Sequence, residues 1–330
     1  MPRAVGSKSA VVATQEALWG NLNASPTSVL GFYIRSFSLG GTKGTFQSET
    51  INQHRAIVGL TDGNKAVQGN MVSDLLPEGL EVLLRHLLGK GTVATTGSGP
   101  YTHVLKGSPE TLEGLSFQKS FTNISKHFLY TGVHLNSMAI DIVQEGFHAV
   151  TWDFVGKCET IFATEQISIA GGVFPTKNGF NGYQASIEID TGSGYTALGR
   201  VVSGSLNIAN NVETDGYVLG SADRASCEYG TRECSGGFAM FFEDTTLYEL
   251  YIAGTECGLK YVFSNALTGD SITFEFPKVK LAGSSPEIAS AAGVNLDFTF
   301  QARVDPGEDT DVIVTIVNSL ASIELQSGEV

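Results

Sequence analysis

Hydrophobic positions along this chain alternate with polar ones far more often than they recur every three or four residues. In Ser271-Ile-Thr-Phe-Glu-Phe276 and Asn295-Leu-Asp-Phe-Thr-Phe300 the period is two, with one apolar and one polar face. Similar runs rich in β-branched and aromatic residues cover Gly31–Leu39, Arg55–Gly59, Val67–Ser73, Tyr101–Leu105, Leu115–Thr122, His127–Val143, Phe147–Val155 and Thr160–Ile169. They continue through Gln184–Asp190, Ala197–Ile208, Gly236–Phe242, Gly258–Phe263 and Asp311–Val317. Gly, Asn and Asp separate them as turn residues do. The pattern predicts antiparallel sheets with one wet face.

Only two segments have helical spacing. In Pro77–Gly91, residues Leu76, Leu80, Leu83, Leu84, Leu87 and Leu88 form one stripe, with Pro77 suited to a first helical position and Gly89 or Gly91 to the stop. His86 is expected on that helix's surface. In Thr245–Ala253, Leu247, Leu250 and Tyr251 form the stripe, Thr246 and Glu249 fit a capping box, and Gly254 can end the helix. Each helix is expected to cover a sheet.

The order of elements repeats. Sliding the chain by 169 residues pairs 35–75 with 204–244 without a gap, setting Ser36 on Ser205, Thr45 on Thr214, Arg55 on Arg224 and Met71 on Met240. Identity in this register is near chance, but the helix after the paired strands recurs in place, which predicts a duplicated β-rich module. The expected organisation is an N-terminal arm over 1–27, a first module over 28–169, a connection over 170–183, a second module over 184–318 and a C-terminal tail over 319–330. Arm and tail are expected to be loosely ordered in the lone chain. Two polar loops, Gly40–Asn52 and Ala209–Ala222, occupy equivalent places, either as solvated hairpin tips or as arms reaching a neighbouring subunit.

Composition narrows the function. The chain has 330 residues, 42% of them hydrophobic, so a sizeable core can form, and no apolar run approaches a membrane span. The start has only Ala10–Ala13 as an apolar stretch, too short for a secretory signal, and the expectation is a protein made and used in the cytosol. Twenty basic residues face 34 acidic ones, a net charge of −14, without a basic cluster, which argues against grip on nucleic acid. Cys158, Cys227, Cys234 and Cys257 lack a CxxC pair, and every histidine precedes them, so neither a metal nor another cofactor is expected.

Candidate chemistry is thin. Asp190-Thr191-Gly192-Ser193 resembles an aspartic-protease loop, but such enzymes share a proton between two carboxylates, and no second Asp-Thr/Ser-Gly exists. The competing reading is a hairpin turn. The glycine loops at Gly40–Gly44 and Gly97–Gly99 fit no phosphate-binding motif. A β-sandwich adhesion or carbohydrate-binding module is a further alternative, but it usually displays exposed aromatics, and only Trp19 and Trp152 are present.

The segment Val67-Gln-Gly-Asn-Met-Val-Ser-Asp-Leu-Leu-Pro-Glu-Gly-Leu-Glu-Val-Leu-Leu84 runs a strand into an amphipathic helix through Leu-Pro. With Tyr101-Thr-His103, Ser116–Phe121, Gly132–Ile142, Ser205-Leu-Asn-Ile-Ala-Asn-Asn211, Leu247-Tyr248 and Ile272–Pro277, it resembles the major tail tube proteins of long-tailed, non-contractile bacteriophages over most of 28–320. The resemblance implies a mainly β fold: a duplicated tail-tube-type β-sandwich or barrel module, each copy with one flanking α-helix. It implies a structural protein and not an enzyme, whose copies form stacked rings around a conduit for genome ejection. A duplicated chain would close a pseudo-six-fold ring with three copies; a true hexamer is the alternative. Further implied partners are the tape-measure, tail-tip and tail-terminator proteins, with DNA passing through the lumen without specific binding. There is no implied membrane insertion. The implied location is the virion tail, assembled in the host bacterial cytoplasm. Lys43, Glu49, Glu213 and Asp215 are candidates for ring and subunit contacts, and Glu188, Glu275 and Asp297 for the lumen, with the outer solvent face as the alternative.

Overall fold

The computed structural model describes residues 3–24, 26, 28–51, 56–57, 59–89, 93–97, 99–111, 113–286 and 293–320. Among them the chain is mainly β. Its elements are β1 (Ser9–Gln15), β2 (Val29–Phe32), β3 (Ser36–Phe37), β4 (Gly40–Gln47), β5 (Leu60–Asp74), α1 (Glu81–Leu88), β6 (Val93–Thr96), β7 (Tyr101–Lys106), β8 (Leu115–Phe121), β9 (Lys126–Ile142) and β10 (Ala149–Gly156). They continue as β11 (Cys158–Phe162), β12 (Gly172–Val173), β13 (Ala185–Asp190), β14 (Tyr195–Ala197), β15 (Val201–Ala209), β16 (Glu233–Phe241), α2 (Thr246–Ala253), β17 (Cys257–Asn265), β18 (Asp270–Gly283), β19 (Asn295–Ala302) and β20 (Ile313–Asn318).

One antiparallel sheet runs the length of the molecule. Starting from β3 and β4, which lie in succession along one edge of β5, the order is β5, β10, β9, β15, β16, β19 and β18. Two smaller sheets cover its apolar face. The first is β2, β1, β8, the start of β9 and β11. The second is β14, β13, β17, the start of β18 and β20. Long β9 and β18 each belong to both layers, so the layers fold over one core, where Phe117 meets Phe154 at 4.9 Å and Tyr261 meets Phe300 at 5.9 Å. Aromatic pairs at these separations add to the burial that holds facing sheets together.

The pairings of the first half recur in the second. β1–β2, β1–β8, β8–β9, β9–β10, β10–β5 and β9–β11 have counterparts in β13–β14, β13–β17, β17–β18, β18–β19, β19–β16 and β18–β20. Across the strands, the row Phe37–Met71–Trp152–Met138 corresponds to Leu206–Gly236–Phe300–Leu281. The slide by 169 residues puts Phe37 on Leu206 and Leu39 on Ile208. It has already shortened to 165 in β5 and β16, where Met71 falls on Gly236 and not on Met240, so 35–75 and 204–244 do not align without a gap. It stays at 165 at the helix starts, Glu81 on Thr246, and shortens to 144 at the strand turns, Phe121 on Asn265. A hairpin, β6–β7, accounts for the last change. It is inserted between α1 and β8 and pairs with β20 of the other half.

Several expectations meet a different outcome. Residues 9–15 form a strand inside a sheet, not part of a loose arm: Val11 and Ala13 enter the main core while Val12 enters a smaller one with Val29, Leu129 and Ile167. Apolar side chains on both faces of β1 make detachment costly. Gly40–Gln47 is a strand along β5, not a loop, because its backbone groups pair with β5 whatever polar side chains they carry. Helix α1 is shorter than Pro77–Gly91, ending at Gly89 with φ 92°, and His86 is buried rather than on the surface. Helix α2 ends as expected at left-handed Gly254, but its cap is Asp244, whose carboxylate accepts the Thr246 N–H at 2.9 Å; Thr245 instead holds Glu249. Of the tail over 319–330, residues 321–330 lie outside the described residues, as does Asn52 at the end of the first polar loop.

Candidate functional site

The long sheet has one dry and one wet face, and the wet face is the candidate site. Alternation decides it. Leu39, Met71, Trp152, Met138, Ile140, Leu206, Ile208, Phe298, Phe300 and Leu281 point into the core. Their strand neighbours point the other way: Ser36, Ser38, Asn70, Asp74, Thr151, Asp153, Ser137, Ala139, Asp141, Ser205, Asn207, Asp297, Thr299, Gln301, Lys280 and Ala282. Most of these side chains are small or polar; Val72 and, at the end of β16, Phe241 share the face as larger apolar side chains. The acidic ones, Asp74, Asp141, Asp153 and Asp297, outnumber Lys280. Asp74 is paired with Arg35 at 2.5 Å, and Asp153 accepts the Ser137 hydroxyl at 2.8 Å. Such a surface offers no cluster of cations to a phosphate backbone.

The middle of this sheet is a joint between the halves. β15 pairs with the end of β9, with Ile208 opposite Met138, Asn207 opposite Ala139 and Leu206 opposite Ile140. The Asn210 N–H donates to the Asn136 carbonyl at 2.7 Å, and its side-chain amide donates to the Leu87 carbonyl of α1 at 2.9 Å. The chain from 210 to 232 then lies over the first half. Arg224 is buried and donates to the carbonyls of Val67 at 3.0 Å and Gly156 at 2.7 Å from Nη1, and to Thr214 at 2.9 Å from Nε. Val212 and Cys227 pack on Val155, and the Tyr229 hydroxyl meets His134 Nδ1 at 2.8 Å. Burial lowers the pKa of His134 to about 4, so the imidazole is neutral there.

Among the described residues the same sheet is open at its two ends. One edge is β3–β4. Ser38 turns its N–H toward β5, donating to Asn70, so Leu39 and Gly41 face away from the sheet. Side chains hold their outward groups: Lys119 Nζ donates to the Leu39 carbonyl at 3.0 Å, and the Gly41 N–H donates to Glu159 at 2.6 Å. Burial against Phe37, Phe128 and Tyr130 pulls the Lys119 ammonium below its usual range, partly countered by Glu159. The other edge is the end of β18. There Leu281 pairs with Phe300 of β19 on one side, while β17 reaches only to Val279 on the other.

The structure separates the sequence-derived candidates. Asp297 lies on the wet face of the long sheet. Glu188 and Glu275 do not: they flank Lys260 in the second covering sheet, where Glu275 pairs with it at 3.1 Å. Lys43 pairs with Asp62 along the β4–β5 hairpin, and Glu49 is exposed beyond it. Glu213 and Asp215 belong to the segment folded back on the first half, where the Glu213 N–H donates to the Glu228 carbonyl at 2.8 Å. Lys119 and Glu159 were not singled out from sequence. Lys119 sits between Gln118 and Ser120 in an alternating strand, and a cation at a core-facing place was the available signal.

Asp190 caps its own turn. Its carboxylate accepts the N–H groups of Gly192 at 2.7 Å and Gly194 at 2.9 Å, which hold its pKa below the usual range. Trp152 is buried in the core, and Trp19 donates to the Gly132 carbonyl at 3.1 Å beneath Lys157, so neither presents a sugar platform. Among the described residues no cluster of His, Cys, Asp and Glu could hold a metal, and no helix is long and apolar enough to cross a membrane. A family model described as phage tail tube protein matches residues 6–302, from the entry to β1 through the end of β19. No curated protein matches the chain.

Proposed function

The chain belongs to the phage tail tube protein family, and from that premise we propose that it is the repeating subunit of a hollow ring. The two halves are read as copies of one module, because six strand pairings recur in the same order. Three chains then close a pseudo-six-fold ring, and rings stack into the tube through which the genome leaves. The observation that carries this reading is the long sheet, with a polar, cation-poor face and an unpaired strand edge at each end. Exposed edges invite pairing, and a closed ring of sheets has none.

The wet face becomes the lumen wall in this reading. Its carboxylates repel DNA phosphates and it offers no cluster of cations, so DNA slides without anchoring. Asp297 is retained as a lumen residue; Glu188 and Glu275 fall to the outer layer. The β4–β5 hairpin with Lys43 and Glu49 serves contacts with neighbouring subunits or rings. Tape-measure, tail-tip and tail-terminator proteins are the further partners, in a virion tail built in the host cytoplasm.

Electron microscopy of the purified protein, with mass measurement of single rings, tests the reading. Rings with a central hole and the mass of three chains are expected. Six chains per ring would replace the pseudo-symmetric arrangement with a true hexamer. A monomer at every concentration and salt tried, absent from virion tails, overturns the proposal.

A further inference from the structure

We propose that the joint inside the chain is the template for the joint between chains: the β3–β4 edge of one copy adds to the end of β18 in the next, Ser38 opposite Ala282 and Leu39 opposite Leu281. This rests on the ring reading above and specifies its contact. Within the chain, β15 sits beside the end of β9. The counterpart of β15 is β3–β4, and the counterpart of β9 is β18. Both counterparts end the long sheet with unpaired edges.

Two independent anchors set the register. The first is the row of paired residues. Phe37–Met71–Trp152–Met138 matches Leu206–Gly236–Phe300–Leu281, so Leu39 takes the place of Ile208 and Leu281 the place of Met138. The second is counting from the hairpin turns. Lys126 and Asp270 open β9 and β18 at equivalent positions, so Leu135 matches Val279. The bulge in β9 at Asn136, where the pairing with β10 skips a residue, then brings Met138 onto Leu281. Ile208 opposite Met138 inside the chain therefore becomes Leu39 opposite Leu281 between chains. Asn207 opposite Ala139 becomes Ser38 opposite Ala282, and Ser205 opposite Asp141 becomes Ser36 opposite Ser284.

The backbone has the right parity. Asn210 turns its N–H toward β9, and its counterpart Gly41 turns its N–H away from β5. Leu39 and Gly41 carry the groups the joint needs. In the lone chain Lys119 and Glu159 occupy them, which blunts the edge as charged side chains commonly do. Pairing exchanges those two side-chain bonds for backbone bonds to the incoming strand. The surface beside β18 also fits a partner of this kind: Ile252 of α2, the helix packed on β18, is exposed there, and Phe46 and Leu60 are exposed on the β4–β5 hairpin. Inside the chain the corresponding surface of α1 is already covered.

Ser38 and Ala282 form a pair whose backbone groups point away from each other, where opposed side chains approach most closely and a disulfide can close. Both are exposed. The test uses the full chain with Cys158→Ser, since the other three cysteines are buried. Mild oxidation of the assembled S38C/A282C protein is expected to give covalent dimers and trimers, at least ten-fold more than the shifted pair S36C/A282C. S36C/S284C, in the same register, is expected to link as S38C/A282C does and serves if that variant fails to fold. Rings seen by microscopy without links at either in-register pair, or with links equally strong at the shifted pair, overturn the joint and leave the ring reading standing. Absence of rings from the unsubstituted protein removes the ring reading, and the joint with it.

Discussion

Helices α1 and α2 occupy the same place in the two halves and live in different surroundings. In α1 every residue but Arg85 is buried, including Glu81 and His86; in α2 only Leu247 is. The seventh residue of each makes the contrast sharp, since Leu87 is 1% exposed and Ile252 is 64% exposed. Local sequence does not account for this, because Ile252 is as apolar as Leu87. The difference lies in the neighbours that each helix meets in space. Asn210, Arg232 and Asn318 of the second half all bond to α1 or the turn before it. Among the described residues nothing comparable reaches α2, although the Tyr248 hydroxyl meets Ser285 at 2.8 Å. The second half covers the helix of the first, and the helix of the second half is left exposed.

The largest expected effect tests that contrast directly. Leu87→Ala is expected to cost about 2–5 kcal/mol in urea unfolding of the lone chain, as for other fully buried leucines. Equal costs for Leu87→Ala and Ile252→Ala would break the comparison. The buried acid of α1 comes next. Burial raises the Glu81 pKa to about 7, above the ordinary 4.5, despite bonds from Gly79 and Asn318. The folded chain then holds a proton that the unfolded chain has released. This contribution is fully present below pH 4.5 and is lost as pH rises through 7, at most about 3 kcal/mol. In thermal melts the stability of Glu81→Gln relative to the unsubstituted chain is expected to rise as pH goes from 5 to 7, since the histidines contribute equally to both proteins and cancel in the difference. His86 acts with the opposite sign. Burial lowers its pKa to about 3, so stability declines as pH falls below 6.5.

Arg224→Met is expected to cost about 2 kcal/mol, because buried carbonyls of Val67 and Gly156 lose their donor. Limited proteolysis should then cut within 213–230 before any other described segment. The smallest effect on folding is expected from Ile252→Ala, about 0.5 kcal/mol or less. Its effect should appear instead in assembly, as a several-fold rise in the concentration at which rings form. A change in folding without a change in assembly would show that α2 is covered by nothing.

Much of the β architecture is legible in the sequence because alternation is a local property. Asn295–Phe300 and Ser271–Phe276 declare their two faces without help from the rest of the chain, and the core follows them. The recurring order of strands and helix is also legible, since β5 leads into a helix as β16 does. The candidate residues are less so. Glu188, Glu275 and Asp297 have the same polar-alternate pattern, yet only Asp297 lies on the long sheet, because a strand's period says which residues share a face and not which sheet the strand joins. Lys119 and Glu159 are further from view: they matter through Leu39 and Gly41, some 80 and 118 positions away.

Taken alone, the sequence determined the mainly β character, the two amphipathic helices, the acidic balance and the likeness between the halves. All depend on neighbours within a few turns of chain. Tertiary structure alone decided that β15 pairs with β9, that α1 is enclosed while α2 is bare, and that β3–β4 and β18 are left as open edges. Backbone groups pair without regard to the side chains that carry them, so partner choice among strands is set by the packing of the whole sheet and is invisible to local pattern.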